Sequence, residues 1–172
     1  MTKEDLRRKV WLLLEHNAVQ RFPGAQGRIP NFIGSERAAI RLTELAVWKK
    51  ARAIKMSPDA PQLAVRRQAL LDGKVVYLAV PSLRSEKCFI EIDPKRLGRR
   101  VALGANLLGA GKYGRIVSPR EVRTIDLLVC GSVAARAPGR GVRWRTLVRA
   151  AQVEGARKLR GIGCFWVGTD QV

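Results

Sequence analysis

A carboxylate, a carboxamide and a guanidinium follow one another through Ser57-Pro-Asp-Ala-Pro-Gln62 and the residues just beyond it, as Asp59, Gln62 and Arg66. A carboxylate near a helix N-terminus is favoured by the helix dipole and can accept hydrogen bonds from ring donors of a bound molecule. Arg66 offers a planar fork that can pair with an acid or a ligand carboxylate. The same residues also admit a structural use: Asp59 caps the helix that starts near Leu63 or pairs with Arg66, and the two prolines stiffen a turn. Gly131-Ser132, a glycine and serine directly after an apolar run, has the composition of a loop that accepts a ligand. Lys3 and Arg7 stand one helical turn apart and share a face, which on an arbitrary helix is a solvated basic face. Other chemistry is excluded. His16 is the single histidine, so neither a histidine metal site nor a Ser-His-Asp triad can be built. Cys88, Cys130 and Cys164 form no CxxC. Gly109-Ala-Gly-Lys-Tyr-Gly114 lacks the glycine spacing of a phosphate loop and has Tyr113 where that loop needs Ser or Thr, so it reads as a flexible turn.

The elements that must position these residues are a strand, a helix and a second strand. Ala51 to Met56 is short and partly apolar and is stopped by Ser57-Pro58. Leu63 to Leu71 has helical spacing, and Asp72-Gly73 ends it with a residue tolerant of positive φ. Val75 to Val80 is nearly unbroken apolar sequence, the pattern of a strand covered on both faces. Two strands joined by one helix run parallel, and the Ser57–Gln62 loop then leaves the carboxyl end of the first, where ligands of open α/β sheets bind. Around this unit the pattern predicts a capped helix from Thr2 to about Asn17, and a helix from Glu36 to Lys50 with Ser35 as N-cap. It also predicts a strand from Cys88 to Ile92, a helical turn at Pro119–Glu121 and a buried strand from Ile125 to Cys130.

Composition bounds the rest. The 172 residues suit one domain, with 47% hydrophobic and 6% aromatic residues. No apolar run is long enough to span a bilayer, and Val10 to Leu14 is too short for a signal-peptide core. Cys88 and Cys130 lie in apolar runs and read as reduced, buried thiols, which makes the cytoplasm the expected compartment. Thirty-three Lys and Arg against fourteen Asp and Glu give a formal charge of +19, which favours an anionic partner such as nucleic acid or a nucleotide. No RNA-recognition, zinc-finger or helix-turn-helix signature accompanies that charge.

RIPNFIGSERAA, the run from Trp48 to Arg66, GKVVYLAVPSLR and IDLLVCGSVA resemble, in order and spacing, the 5-formyltetrahydrofolate cyclo-ligase (methenyltetrahydrofolate synthetase) family, in its divergent branch. The resemblance covers about residues 2–134. It implies an α/β three-layer sandwich with a mostly parallel sheet, like ribose-5-phosphate isomerase and CoA transferases. It also implies a cleft shared by ATP, with Mg²⁺, and a reduced folate. On this resemblance Lys3 and Arg7 hold nucleotide phosphates, joined by Gly131, Ser132, Gly139 and Arg140, while Asp59, Gln62, Arg66, Pro81 and Arg84 line the folate side. The implied reaction is ATP-dependent closure of 5-formyltetrahydrofolate to 5,10-methenyltetrahydrofolate, and no side chain is assigned as its catalyst. A noncatalytic basic module that holds nucleic acid or a partner on the same fold is the alternative.

The resemblance breaks after GSVA. The family continues with a GKGxGYxDxE loop around the triphosphate; this chain has ARAPGRGVRWRTLVRAAQ and no acid until Glu154. Residues 1–134 are therefore read as the cyclo-ligase-like domain. Residues 135–172 form a divergent basic tail that either completes the domain or is read out of frame. Within it Leu147, Val148, Ala151 and Ala156 have helical spacing and Cys164 to Val167 is a candidate strand.

Overall fold

In the computed structural model residues 2–80, 86–136 and 140–142 are described. The sheet forms around β1 (Ala53–Met56), whose four residues are all buried. β1 pairs in parallel with β2 (Val75–Ala79) on one side and with β5 (Leu127–Val129) on the other. Ile54 lies opposite both Val76 and Leu127, and Met56 opposite Leu78 and Val129. β3 (Phe89–Ile92) and β4 (Arg115–Val117) complete the order β4-β3-β2-β1-β5, and both of their pairings are antiparallel. The mostly parallel sheet expected from sequence is thus a mixed one. The reason is the length of the 80–88 connection, which is too short for a helical crossover and so returns the chain alongside β2 in the opposite direction.

The helices sort by their apolar faces. α4 (Leu63–Leu71) follows the expected span and lays Val65, Ala69 and Leu70 on the β1–β2 surface. α2 (Ser35–Glu44) adds Ala39 and Leu42, and α3 (Ala46–Lys50) adds Trp48, whose indole N–H donates to Asp72 Oδ2 at 2.8 Å. The 36–50 segment is two helices because Leu45 takes extended dihedrals between them. Ser35 is the first helical residue, and the cap position belongs to Gly34 at φ +100°. α5 (Pro94–Leu97), α6 (Val101–Gly104) and α7 (Leu107–Tyr113) close the same core with Leu97, Ala105 and Ala110.

Gly109 to Tyr113 is therefore helix rather than the flexible turn read from its glycines. Asn106 caps it by accepting from Gly109 N at 2.7 Å. Gly109 itself is required by close approach, since a Cβ there would overlap the Leu103 carbonyl oxygen. The opposite face of the sheet carries Ala53, Val75 and Tyr77, covered by Val122 and Ile125. There the Tyr77 hydroxyl donates to Glu91 Oε2 at 2.6 Å, and Arg115 Nε donates to Glu91 Oε1 at 3.2 Å. Burial and the neighbouring carboxylate push the Tyr77 hydroxyl up to about 12.

α1 (Lys3–His16) opens on the predicted capping box: Thr2 Oγ1 accepts from Asp5 N, and Asp5 Oδ2 accepts from Thr2 N at 2.7 Å. Trp11 and Leu14 bury against Ala25, Ile29 and Val133, where the chain leaves β5 for the hairpin β6 (Ala134–Arg136) and β7 (Arg140–Val142). Cys130 is buried and Cys88 half-buried, and neither is in a disulfide. The helix and strand expected within 143–172 lie outside the described residues. No helix among the described residues is long and apolar enough to cross a membrane.

Candidate functional site

β1 and β5 are parallel neighbours, with β5 at the edge of the sheet; β1 continues through α4 to β2, and β5 into the separate β6–β7 hairpin. The loops at their carboxyl ends, where open α/β sheets take ligands, meet at Gly131, beside Asp59 and Gln62. From β1 the chain passes through Ser57 and Asp59 into a 3₁₀ turn, Ala60–Gln62, and then α4. From β5 it passes through Cys130 to Gly131 and Ser132.

The β1 loop is tied down from within. Gln62 Oε1 accepts from Ser57 N at 3.0 Å. Arg66, 2% exposed, donates from Nη1 to the Ser57 and Asp59 carbonyls at 2.8 and 2.9 Å, and from Nε to the Ala105 carbonyl at 2.9 Å. Its guanidinium thus fixes the loop and joins it to the chain after α6. Burial lowers the Arg66 pKa to about 10, with Asp59 pulling it back, so the side chain stays charged at neutral pH. The Asp59 side chain makes no cap hydrogen bond to the turn it precedes, and Arg66 meets the Asp59 backbone rather than its carboxylate.

What this bracing leaves over points to a ligand. Ser57 Oγ, Asp59 Oδ2 and Gln62 Nε2 are buried with no hydrogen-bond partner among the described residues. Such atoms are few in folded proteins, because each forfeits its hydration without return. Two of them converge on Gly131: a Cβ built there would lie 2.9 Å from Asp59 Oδ2, 3.2 Å from Gln62 Nε2 and 2.9 Å from Ile29 Cγ2. Only a glycine leaves this cradle open. Burial raises the Asp59 pKa, with the nearby Arg66 and Lys55 charges opposing.

Lys55 is a member of this site that the sequence reading passed over. It sits in the middle of β1 and is 8% exposed. Burial lowers its pKa, and the neighbouring Cys130 and Asp59 counter that shift. A lysine that is 8% exposed within a strand of buried residues is uncommon and calls for a partner.

Of the other expected residues, Arg7 shares the Trp11–Leu14 face of α1, whose cluster includes the Ile29 that borders Gly131. It is 12% exposed and pairs with Glu4 Oε2 at 2.8 Å. Lys3 is exposed at the start of α1. Ser132 is half-buried beside Gly131. Pro81, Arg84 and Gly139 lie outside the described residues, as does the side chain of Arg140, which opens β7.

With Gln62 Nε2 and the Lys55 ammonium as donors and Asp59 Oδ2 as an acceptor, the site fits an anionic molecule that also brings hydrogen-bond donors. It does not fit a resident metal centre, since no group of three His, Cys, Asp or Glu occurs among the described residues.

A family model described as the 5-formyltetrahydrofolate cyclo-ligase family matches residues 1–144, ten residues beyond the last block of resemblance read from sequence. The chain is 34% identical over 151 residues to the bovine (Bos taurus) "Methenyltetrahydrofolate synthase domain-containing protein", covering 84% of this chain and 38% of that protein. The mouse (Mus musculus) and human (Homo sapiens) proteins of the same name are 32% and 30% identical over the same length, covering 38% and 37% of their own chains. This chain thus spans less than two-fifths of those relatives. By the extent of the family match and these identities, the chain belongs to the 5-formyltetrahydrofolate cyclo-ligase family.

Proposed function

We propose that the chain binds 5-formyltetrahydrofolate in the crevice between the carboxyl ends of β1 and β5 and closes it to 5,10-methenyltetrahydrofolate at the expense of ATP, in the cytoplasm. The observation that carries this reading is the convergence of Asp59 Oδ2 and Gln62 Nε2, both buried and unpartnered, on the side-chain-free surface of Gly131. Asp59 accepts from the amino and ring N–H groups of the pterin, and Gln62 donates to a ring oxygen or nitrogen. Arg66 holds both at fixed positions through the loop carbonyls. The γ-phosphoryl group of ATP passes to the formyl oxygen with release of ADP, and attack of the neighbouring folate nitrogen on the formyl carbon then closes the ring and expels phosphate. The protein's part is to align the groups and neutralise charge, which needs cations more than a nucleophile. Arg7 and the Gly131–Ser132 turn face the phosphates, and magnesium arrives with the nucleotide, because no group of three His, Cys, Asp or Glu that could hold a metal occurs among the described residues. The fold is read as the three-layer sandwich of the family, the described residues supplying the sheet and its helical face.

The charge of +19 favours a second reading, a basic module for nucleic acid. One assay separates the two. Purified protein with 5-formyltetrahydrofolate and ATP is expected to produce the methenyl product, and to produce none when ATP is left out. Absence of product at any ATP concentration, together with RNA binding that survives physiological salt, would overturn the cyclo-ligase reading in favour of the basic module.

A further inference from the structure

The buried charges around the cleft do not balance. Lys55 and Arg66 are both cations more than nine-tenths buried, and Asp59 is the carboxylate whose charge reaches each of them. Arg66 is provided for, with three carbonyl acceptors. A second buried lysine shows how this fold satisfies one that serves the structure. Lys74 Nζ donates to the Ala51 carbonyl at 2.8 Å and lies 5.6 Å over the Trp48 ring. Lys55 has no such acceptor among the described residues. Its side chain leaves β1 on the same side as that of Ser57, two residues on, whose buried hydroxyl is likewise unpartnered. An ammonium and a hydroxyl, both donors, therefore share the floor of the cleft beside an excess of one positive charge, at a cost several-fold larger than a neutral pair would carry.

We propose that Lys55 is a ligand-binding residue that holds an anionic oxygen, phosphoryl or carboxylate, carried into the cleft by the ligand. The inference rests on the crevice being a ligand site and adds to it the residue that fixes the ligand's charge. Two parts of the proposed substrates carry such oxygens, the phosphates of a nucleotide and the glutamyl carboxylates of a folate, and separate probes tell them apart. Inorganic tripolyphosphate stands for the first and p-aminobenzoylglutamate for the second.

Calorimetric titration of both probes into wild type, Lys55→Met and Lys55→Arg, beside thermal melts of each ligand-free protein, tests the proposal. Wild type is expected to bind one of the two anions. Lys55→Met is expected to bind that anion at least tenfold more weakly while melting at the same or a higher temperature, because methionine fills the same space without a buried charge. Lys55→Arg should keep part of the affinity. Wild-type affinity in Lys55→Met, or no binding of either anion by wild type, would overturn the assignment. So would a lowered melting temperature in Lys55→Met with affinity intact, which marks a structural lysine. 5-Formyltetrahydrofolate is titrated in parallel: wild type that binds tripolyphosphate but not the folate loses the cyclo-ligase reading and keeps Lys55 as an anion-binding residue.

Discussion

Arg66→Met is expected to lower the melting temperature by about 10 °C. The side chain donates to the carbonyls of Ser57, Asp59 and Ala105, and all three bonds lie in or beside the buried core. Methionine fills a similar volume but leaves those acceptors without donors. Removing one partner of a buried charged group costs roughly 3–5 kcal/mol, and at this chain length each kcal/mol shifts the melting point by roughly 2–4 °C. Lysine in its place keeps the charge but cannot reach carbonyls on two separate segments at once, so Arg66→Lys should recover less than half of the loss. Folate affinity should fall along with stability, because the Ser57–Gln62 loop loses its brace. A melting temperature within about 2 °C of wild type, joined to lost folate affinity, would instead make Arg66 a direct ligand contact, as the family resemblance implied.

Asp59→Asn should behave in the opposite way, with affinity lost and stability kept. Asp59 Oδ2 has no partner among the described residues, and its carboxylate is raised in pKa chiefly by burial. A carboxyl whose folded pKa lies above its unfolded value, 3.8, binds more protons in the folded state, so it removes stability as pH rises through that interval. At neutral pH the ionised group is therefore a cost to the folded protein, which asparagine relieves. The variant should melt at the wild-type temperature or slightly above it at pH 7, and the difference should close below about pH 4, where both states are protonated. Its affinity for 5-formyltetrahydrofolate should fall by roughly tenfold to a hundredfold, the loss of one hydrogen bond to a charged acceptor at about 1.5–3 kcal/mol. Equal affinity in both proteins would remove Asp59 from the site. A melting temperature lower by several degrees at pH 7 would return it to a structural role.

How far the sequence carried these conclusions depended on the range of the interactions involved. The α1 capping box, the Leu63–Leu71 helix and the three parallel strands were legible because their determinants are local: a Thr-x-x-Asp, a helical apolar period, short largely apolar runs ended by turn residues. The direction of β3 was not, because it is set by a connection length and not by the strand's own residues. The helix at Gly109 was hidden for a related reason. Its glycines suggest a turn, while the cause is the Leu103 carbonyl standing where a Cβ would go, a contact visible only after folding. Within the site, Asp59 and Gln62 were correctly placed at a strand's carboxyl end. For Arg66 the sequence offered a fork toward a ligand or a pairing with Asp59, and its bond to the Ala105 carbonyl, 39 residues away, was not legible. Lys55 was not singled out because its burial depends on β2 and β5 pairing on both sides of β1.

The most direct test of the central claim is an experimental structure of the protein with 5-formyltetrahydrofolate bound. The pterin is expected against Gly131, with its amino or ring N–H group within hydrogen-bond distance of Asp59 Oδ2 and a ring acceptor within reach of Gln62 Nε2, atoms that stand 2.9 and 3.2 Å from the point a Gly131 Cβ would occupy. A folate seated away from the carboxyl ends of β1 and β5, with those two atoms still unpartnered, would contradict the account.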